Sequence, residues 1–251
     1  EAQLITESIE RFVDENYPFE QREHRKAHTP FGTNWATFAE LGWLGLPLDS
    51  DAGGLGANLT DMSGALMAFG RGLIEEPFFD GVVVAAAVLQ QLGTRAQCEN
   101  FLAAIAQGAL KLCLCHREAG SELDKTAIAT SFVSTADGYI ISGRKTAVFS
   151  AEWADTFLVT ACQGNEVAVF LVPSDHAGIT LQSFVCVDGS RAADIVFQSV
   201  RVDVAARLGG ADFSDAWSGL QRCLLQSMAA LCIEAAGIAR ALREKTAEYL
   251  Q

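Results

Sequence analysis

The sequence predicts an α+β fold in three parts: an N-terminal helical bundle, a middle antiparallel β domain, and the start of a C-terminal helical bundle. Three observations predict it. Apolar residues recur at helical spacing to about residue 110. Short β-rich runs then alternate with turn residues to about Val204. A long, striped helical pattern begins near Asp212. The parts are placed at residues 1–110, 111–210 and 211–251.

In the first part, Leu4, Ile5, Ile9, Phe12 and Val13 mark one helix. A second covers Asn34 to Leu41, with Trp35, Phe38 and Leu41 as its apolar face and Gly42 as its stop. Asp49 to Asn58, with Gly53, Gly54 and Gly56, reads as a loop. Thr60 or Asp61 is placed to N-cap a helix through Leu73. Two more helices follow Pro77 and Gly93. The unbroken apolar run Val82 to Leu89 predicts burial inside the bundle.

The β-rich runs are Leu112–Cys115, Ile128–Ser134, Tyr139–Ile141, Lys145–Phe149, Thr156–Ala161, Val167–Val172, Ile179–Phe184 and Ile195–Val202. Turns are expected at Asp137-Gly138, Ser142-Gly143, Gln163–Asn165, His176–Gly178 and Asp188–Ser190. No gap holds a crossover helix, so the pattern predicts an antiparallel sandwich or barrel. Cys113 and Cys115 should share one face of their strand.

The third part opens at Ser214, a candidate N-cap, and runs helically to about Gln251. Leu220, Leu224, Met228, Leu231, Ile238 and Leu242 form its stripe. A helix of about 37 residues is roughly 55 Å long and cannot bury such a stripe alone. It needs partner helices, from further chain or from another subunit. Leu220 to Ala239 nearly reaches membrane-spanning length, but Gln221, Arg222, Gln226 and Glu234 are costly in lipid. A bundle helix is therefore expected, and no membrane partner.

The net charge of −13 weighs against nucleic acid, because the densest basic cluster (Arg22, His24, Arg25, Lys26, His28) is interleaved with Glu20 and Glu23. Seven cysteines without a CxxC pair, and four scattered histidines, give no metal-site spacing. Reduced thiols in a cytoplasmic protein are expected. Glu1, Glu7 and Glu10 make the N-terminus unlike a signal peptide.

The order of the parts resembles the acyl-CoA dehydrogenases, and three segments carry the resemblance. Phe38 to Pro47, followed by Gly53-Gly54-Leu55-Gly56, is similar to the family's first-bundle signature. Glu118-Ala119-Gly120-Ser121-Glu122 resembles its Gly-Ser-Asp loop, with Glu122 in the acidic place. Tyr139 to Lys145, continuing to Ala154-Asp155, resembles its second flavin segment. The resemblance implies that Leu112, Leu114, Cys115, Gly120 and Ser121 line an FAD, and that Ser121 also meets the thioester substrate. It implies a second FAD contact along Ala147, Val148, Phe149 and Ser150. The family usually has an aromatic, an aliphatic and a Thr there. Ala147, Val148 and Phe149 stand in those places, so the aromatic and the hydroxyl are displaced or lost. This departure, with Val187-Asp188-Gly189 and Ala192-Ala193-Asp194, resembles the small or partner subunits of heteromeric members acting on dicarboxylic or steroid side-chain thioesters.

The implied activity is α,β-dehydrogenation of an acyl-CoA, with electron-transfer flavoprotein or a similar acceptor, in a homo- or hetero-oligomer. A carboxylate must remove the α proton. The family's usual base lies past residue 251, and the position some branches use on the long helix is Ser227. Glu234 is the only acid between Trp217 and Ala241, about two turns from Ser227 and on the same face. It is the catalytic candidate; a Glu paired in the bundle or at a subunit contact is the alternative. Met228 stands near where the family often keeps a substrate-binding Arg. A non-catalytic structural subunit is the second functional reading. A nucleic-acid-binding relative of the alkylation-response branch is disfavoured by the charge.

Overall fold

The computed structural model describes residues 2–24, 31–120, 127–210 and 216–250. Ser121 and Ser214, expected as a ligand contact and an N-cap, lie outside the described residues.

Helix α1 (Ala2–Asn16) turns Ile9 and Val13 inward. Helix α2 (Trp35–Glu40) buries Trp35 and Phe38 and ends where Gly42 takes a left-handed φ of 75°. Leu41 is 47% exposed, so the apolar face is narrower than the sequence suggested. Helix α3 (Ser63–Gly72) starts later than expected. The Asn58 side chain accepts from the Thr60 and Asp61 amides, so a turn occupies the place of the predicted cap.

Helix α4 (Phe79–Leu92) is wound as a π-helix over Phe79–Ala86. Its Val82, Val83, Val84, Ala85, Ala86, Val88 and Leu89 are buried, as the apolar run predicted. Thr94 and Gln97 then form a reciprocal capping box that starts α5 (Arg95–Ala106).

Seven strands follow among the described residues: β1 (Leu112–Cys115), β2 (Ser131–Ser134), β3 (Gly138–Phe149), β4 (Thr156–Gln163), β5 (Glu166–Pro173), β6 (Ile179–Val185) and β7 (Arg191–Asp203). They form one sheet in the order β1-β4-β2-β3-β7-β6, with β5 on the other side of β4. Most pairings are antiparallel, but β1 and β2 each lie parallel to β4. No crossover helix is needed, because the hairpin of β2 and β3 fills the connection from β1 to β4. The two runs split at Ser142-Gly143 are one strand, β3. The glycine marks a register shift against β7 rather than a turn. A Cβ there would lie 2.5 Å from the Thr130 Cα.

Side chains of the central strands alternate between two cores. Leu158, Val169 and Leu171 join the helices; Phe157, Val159, Phe170 and Val172 fill the interior of the β domain. The long helix α6 (Ala216–Tyr249) closes the arrangement. It meets α4 through Leu220, Cys223 and Leu224, and α3 through backbone contact at Gly70 and Gly237. Of its remaining stripe residues, Ile238 is half-buried, and Met228, Leu231 and Leu242 are more than half exposed.

Candidate functional site

The ends of β1 and β3 converge on the seam between sheet and helices. Leu112 and Leu114 pack into the core shared with α4 and α6. Cys113 and Cys115 share the opposite face and are buried in the β interior. Cys115 can therefore serve a ligand only through its backbone. Gly120 is exposed, with a left-handed φ of 84°.

The second segment is built on a bulge. Lys145 pairs with Ile195 and Val148 with Ala193, so Thr146 and Ala147 together oppose Asp194. Ala147 takes a φ of 48° and Ser150 one of 58°, both in the left-handed region. The Ala147 N–H donates to Asp194 Oδ1 at 3.0 Å, and Arg144 meets Asp194 Oδ2 at 2.6 Å. That amide and Arg144 hold the Asp194 carboxyl below the usual range. Val148 is buried in the β interior. Phe149 is half-buried, with the Arg117 guanidinium 5.9 Å from its ring centre. The Thr146 N–H donates to the Arg117 carbonyl at 2.9 Å, tying the two segments together.

A buried ion pair braces the same junction. The Lys145 ammonium is fully buried, 2.6 Å from Glu118 Oε1 and 2.7 Å from Thr160 Oγ1. Glu118 also accepts from the Ala129 and Thr130 amides. Burial works to raise the Glu118 carboxyl, but Lys145 and these hydrogen bonds outweigh it and hold the carboxyl low.

On the helical side, Ser150 Oγ donates to Asp80 Oδ2 at 2.7 Å. Burial raises the Asp80 carboxyl, with Ser150 partly offsetting it. Glu234 of α6 lies against Gly70 of α3. Burial, and then the Asp80 charge, push its carboxyl up to about 7. Ser227 is buried and bonded to its own helix at the Cys223 carbonyl, 2.8 Å away, while Met228 points outward. Of the residues expected from the sequence, Ser150 and Glu234 are thus linked through Asp80, while Ala147 and Phe149 lie along the strand that leads to Ser150. Asp80 was not singled out from the sequence, and Asp194 and Lys145 entered only as members of resembling segments, without a role of their own. A lysine inside a β-rich run, opposite an acid in the preceding loop, was the only signal available.

A flavin would be held here mainly through backbone. Gly120 is left-handed with open space beside its Cα, whereas the Ala147 and Ser150 amides are already engaged by Asp194 and the Arg191 carbonyl. Among the described residues, no hydrogen-bond partner meets the buried Nδ1 of His116, on the loop after β1. Burial, with Lys145 and Arg117 nearby, lowers that imidazole to about 4, so it is neutral at pH 7 and open to a ligand's polar group. Side-chain donors are scarcer. Phe149 has none, and the Ser150 hydroxyl is committed to Asp80.

Residues 1–109 match the acyl-CoA dehydrogenase N-terminal domain, and residues 112–200 match the acyl-CoA dehydrogenase middle domain. The chain belongs to the acyl-CoA dehydrogenase family. It is 29% identical over 269 aligned positions to the probable acyl-CoA dehydrogenase YngJ of Bacillus subtilis (strain 168), covering 99% of this chain and 68% of that one. Among solved structures, a glutaryl-CoA dehydrogenase from Mycobacterium smegmatis in complex with FADH2 superposes with a TM-score of 0.87 at 22% identity, covering 99% of this chain and 64% of that one. The ChsE4-ChsE5 complex from Mycobacterium tuberculosis gives a TM-score of 0.85 at 23% identity, covering 99% of this chain and 66% of that one. The acyl-CoA dehydrogenase fold is therefore shared across these proteins. The chain spans about two thirds of the length of each.

Proposed function

We propose that the chain forms the flavin and thioester side of an acyl-CoA dehydrogenase site, oxidising the α,β bond of a lipid, steroid side-chain or dicarboxylic acyl-CoA. The carrying observation is Glu234, a half-buried carboxyl packed against Gly70 and raised to about 7 by burial and by Asp80, the residue that Ser150 meets. A group so tuned is half-ionised near neutral pH and can take an α proton. A flavin held at this seam would supply the acceptor for the β hydride. Leu112, Leu114 and Phe149 keep the seam dry, which strengthens hydrogen bonds to a thioester carbonyl. Asp80 keeps Glu234 basic. Ser121, by resemblance, contacts the phosphate or pantetheine side. The chemistry requires an acceptor such as electron-transfer flavoprotein. The uncovered stripe of α6 suits a homo- or hetero-oligomer, and relatives of this kind suit the cytoplasm.

The test is the visible spectrum of the purified protein before and after anaerobic addition of acyl-CoA. Bleaching of a flavin band, lost in Glu234→Gln with FAD still bound, is the expected result. Unchanged bleaching in that variant would remove Glu234 as the base. A second reading has its own support: with Phe149 in place of a hydroxyl and Ser150 turned to Asp80, the chain would brace a catalytic partner instead. A protein that takes up no FAD would favour it.

A further inference from the structure

We propose that Asp194 is a positioning residue, holding the Ala147 bulge in the shape that receives the flavin; this rests on the flavin reading above. The bulge has three parts. Two residues of β3, Thr146 and Ala147, face the single residue Asp194 of β7. Ala147 sits at a φ of 48°, which costs any residue with a Cβ. Its amide has left the ladder and points instead at Asp194 Oδ1, 3.0 Å away. Such a conformation persists only when its surroundings fix it. Asp194 supplies that constraint, because its carboxylate replaces the ladder partner the bulge removed. Arg144, at 2.6 Å, steadies the other oxygen from the more exposed side.

The location makes the strain useful. Ala147 opens the stretch that ends at Ser150, where the hydrogen bond to Asp80 crosses to the helices. With the bulge relaxed, Val148 and Phe149 would rotate with it. A site that has lost its hydroxyl donor depends more on backbone position, so the brace on that backbone controls affinity. Asp194 touches no part of the proposed ligand. It acts through Ala147.

Four variants test this, read by FAD titration through flavin fluorescence and by amide hydrogen exchange in the flavin-free protein. Asp194→Ala should weaken FAD about tenfold, the value of one hydrogen bond to a charged acceptor. It should also speed exchange at the Ala147 amide. Asp194→Asn keeps an oxygen for that amide and should stay within about threefold of wild type, as should Arg144→Ala. Adding Ala147→Gly to Asp194→Ala should recover most of the affinity, because glycine holds a positive φ without a brace. A wild type that binds FAD while Asp194→Ala binds it equally well overturns this inference alone. So does an Asp194→Asn as weak as Asp194→Ala. A wild type that binds no FAD overturns the flavin reading, and this inference with it; the exchange data would still show whether Asp194 braces the bulge.

Discussion

The hydroxyl of Ser150 and the carboxylate of Asp80 meet at 2.7 Å across the seam between the sheet and the first bundle. Asp80 in turn raises Glu234 on α6. One polar point thus links all three parts of the fold, with leucine, valine and aromatic side chains of two cores on either side.

Replacing Asp80 with Asn removes a charge that opposes ionisation of Glu234. The Glu234 carboxyl should then titrate below its present value of about 7. An NMR titration of the glutamate side chains reads this directly, and an unmoved midpoint would sink the coupling.

Glu234 also imposes a pH dependence on stability. Its folded value of about 7 stands above the ordinary 4.5, so the folded state holds its proton more tightly than the unfolded chain does. The contribution is fully present below the ordinary value and is lost as pH rises through about 7. Glu234→Gln should flatten that decline. At pH 8 it should be more stable than wild type by up to about 3 kcal/mol, less whatever residual solvation of the carboxylate relieves. Urea unfolding at pH 5 and pH 8 measures the difference; equal slopes in the two proteins would contradict it.

Lys145→Met leaves Glu118 buried without its cation. The expected loss is about 3–5 kcal/mol. Glu118→Gln in the same chain should return part of it, because the amide needs no counter-charge. A double-mutant cycle by denaturation decides whether the pair couples as the 2.6 Å contact requires.

Gly70→Ala sets two effects against each other. Alanine favours a helix by about 1 kcal/mol. The new Cβ would lie 2.1 Å from the Glu234 carbonyl oxygen, which is backbone and cannot swing away. The clash should win, with a net loss of about 1–3 kcal/mol or more. A thermal midpoint at or above wild type would show that α3 and α6 can part.

The sequence disclosed most of the elements because their signals are local. Gly42 ends a helix by its own geometry, and Gly93 marks the break after which the next helix starts. The run Val82 to Leu89 can sit only in a core. What stayed hidden depends on neighbours distant in sequence. Gly143 looks like a turn residue until Thr130 is found against it. Nothing in an alanine betrays the left-handed Ala147, since the cause is Asp194 on another strand. Ser150 was named from the sequence only through the family resemblance, and its engagement by Asp80 was not legible there. Leu41, Met228 and Leu231 fit an apolar period and still face outward, because periodicity states which residues share a side, not whether anything covers it.

The parallel pairing of β1 with β4 sets an order of assembly. Leu112 must wait for Thr156, and Cys115 for Val159, while β2 and β3 are synthesised in between. The first bundle can therefore collapse early on local contacts, but the strand that joins it to the sheet gains its ladder only after a long loop has closed. The seam that carries Asp80, Ser150 and Glu234 is thus a late event in folding. A pulse-labelling hydrogen-exchange experiment should find β1 amides protected well after those of α3, with the binding surface maturing in the slowest phase.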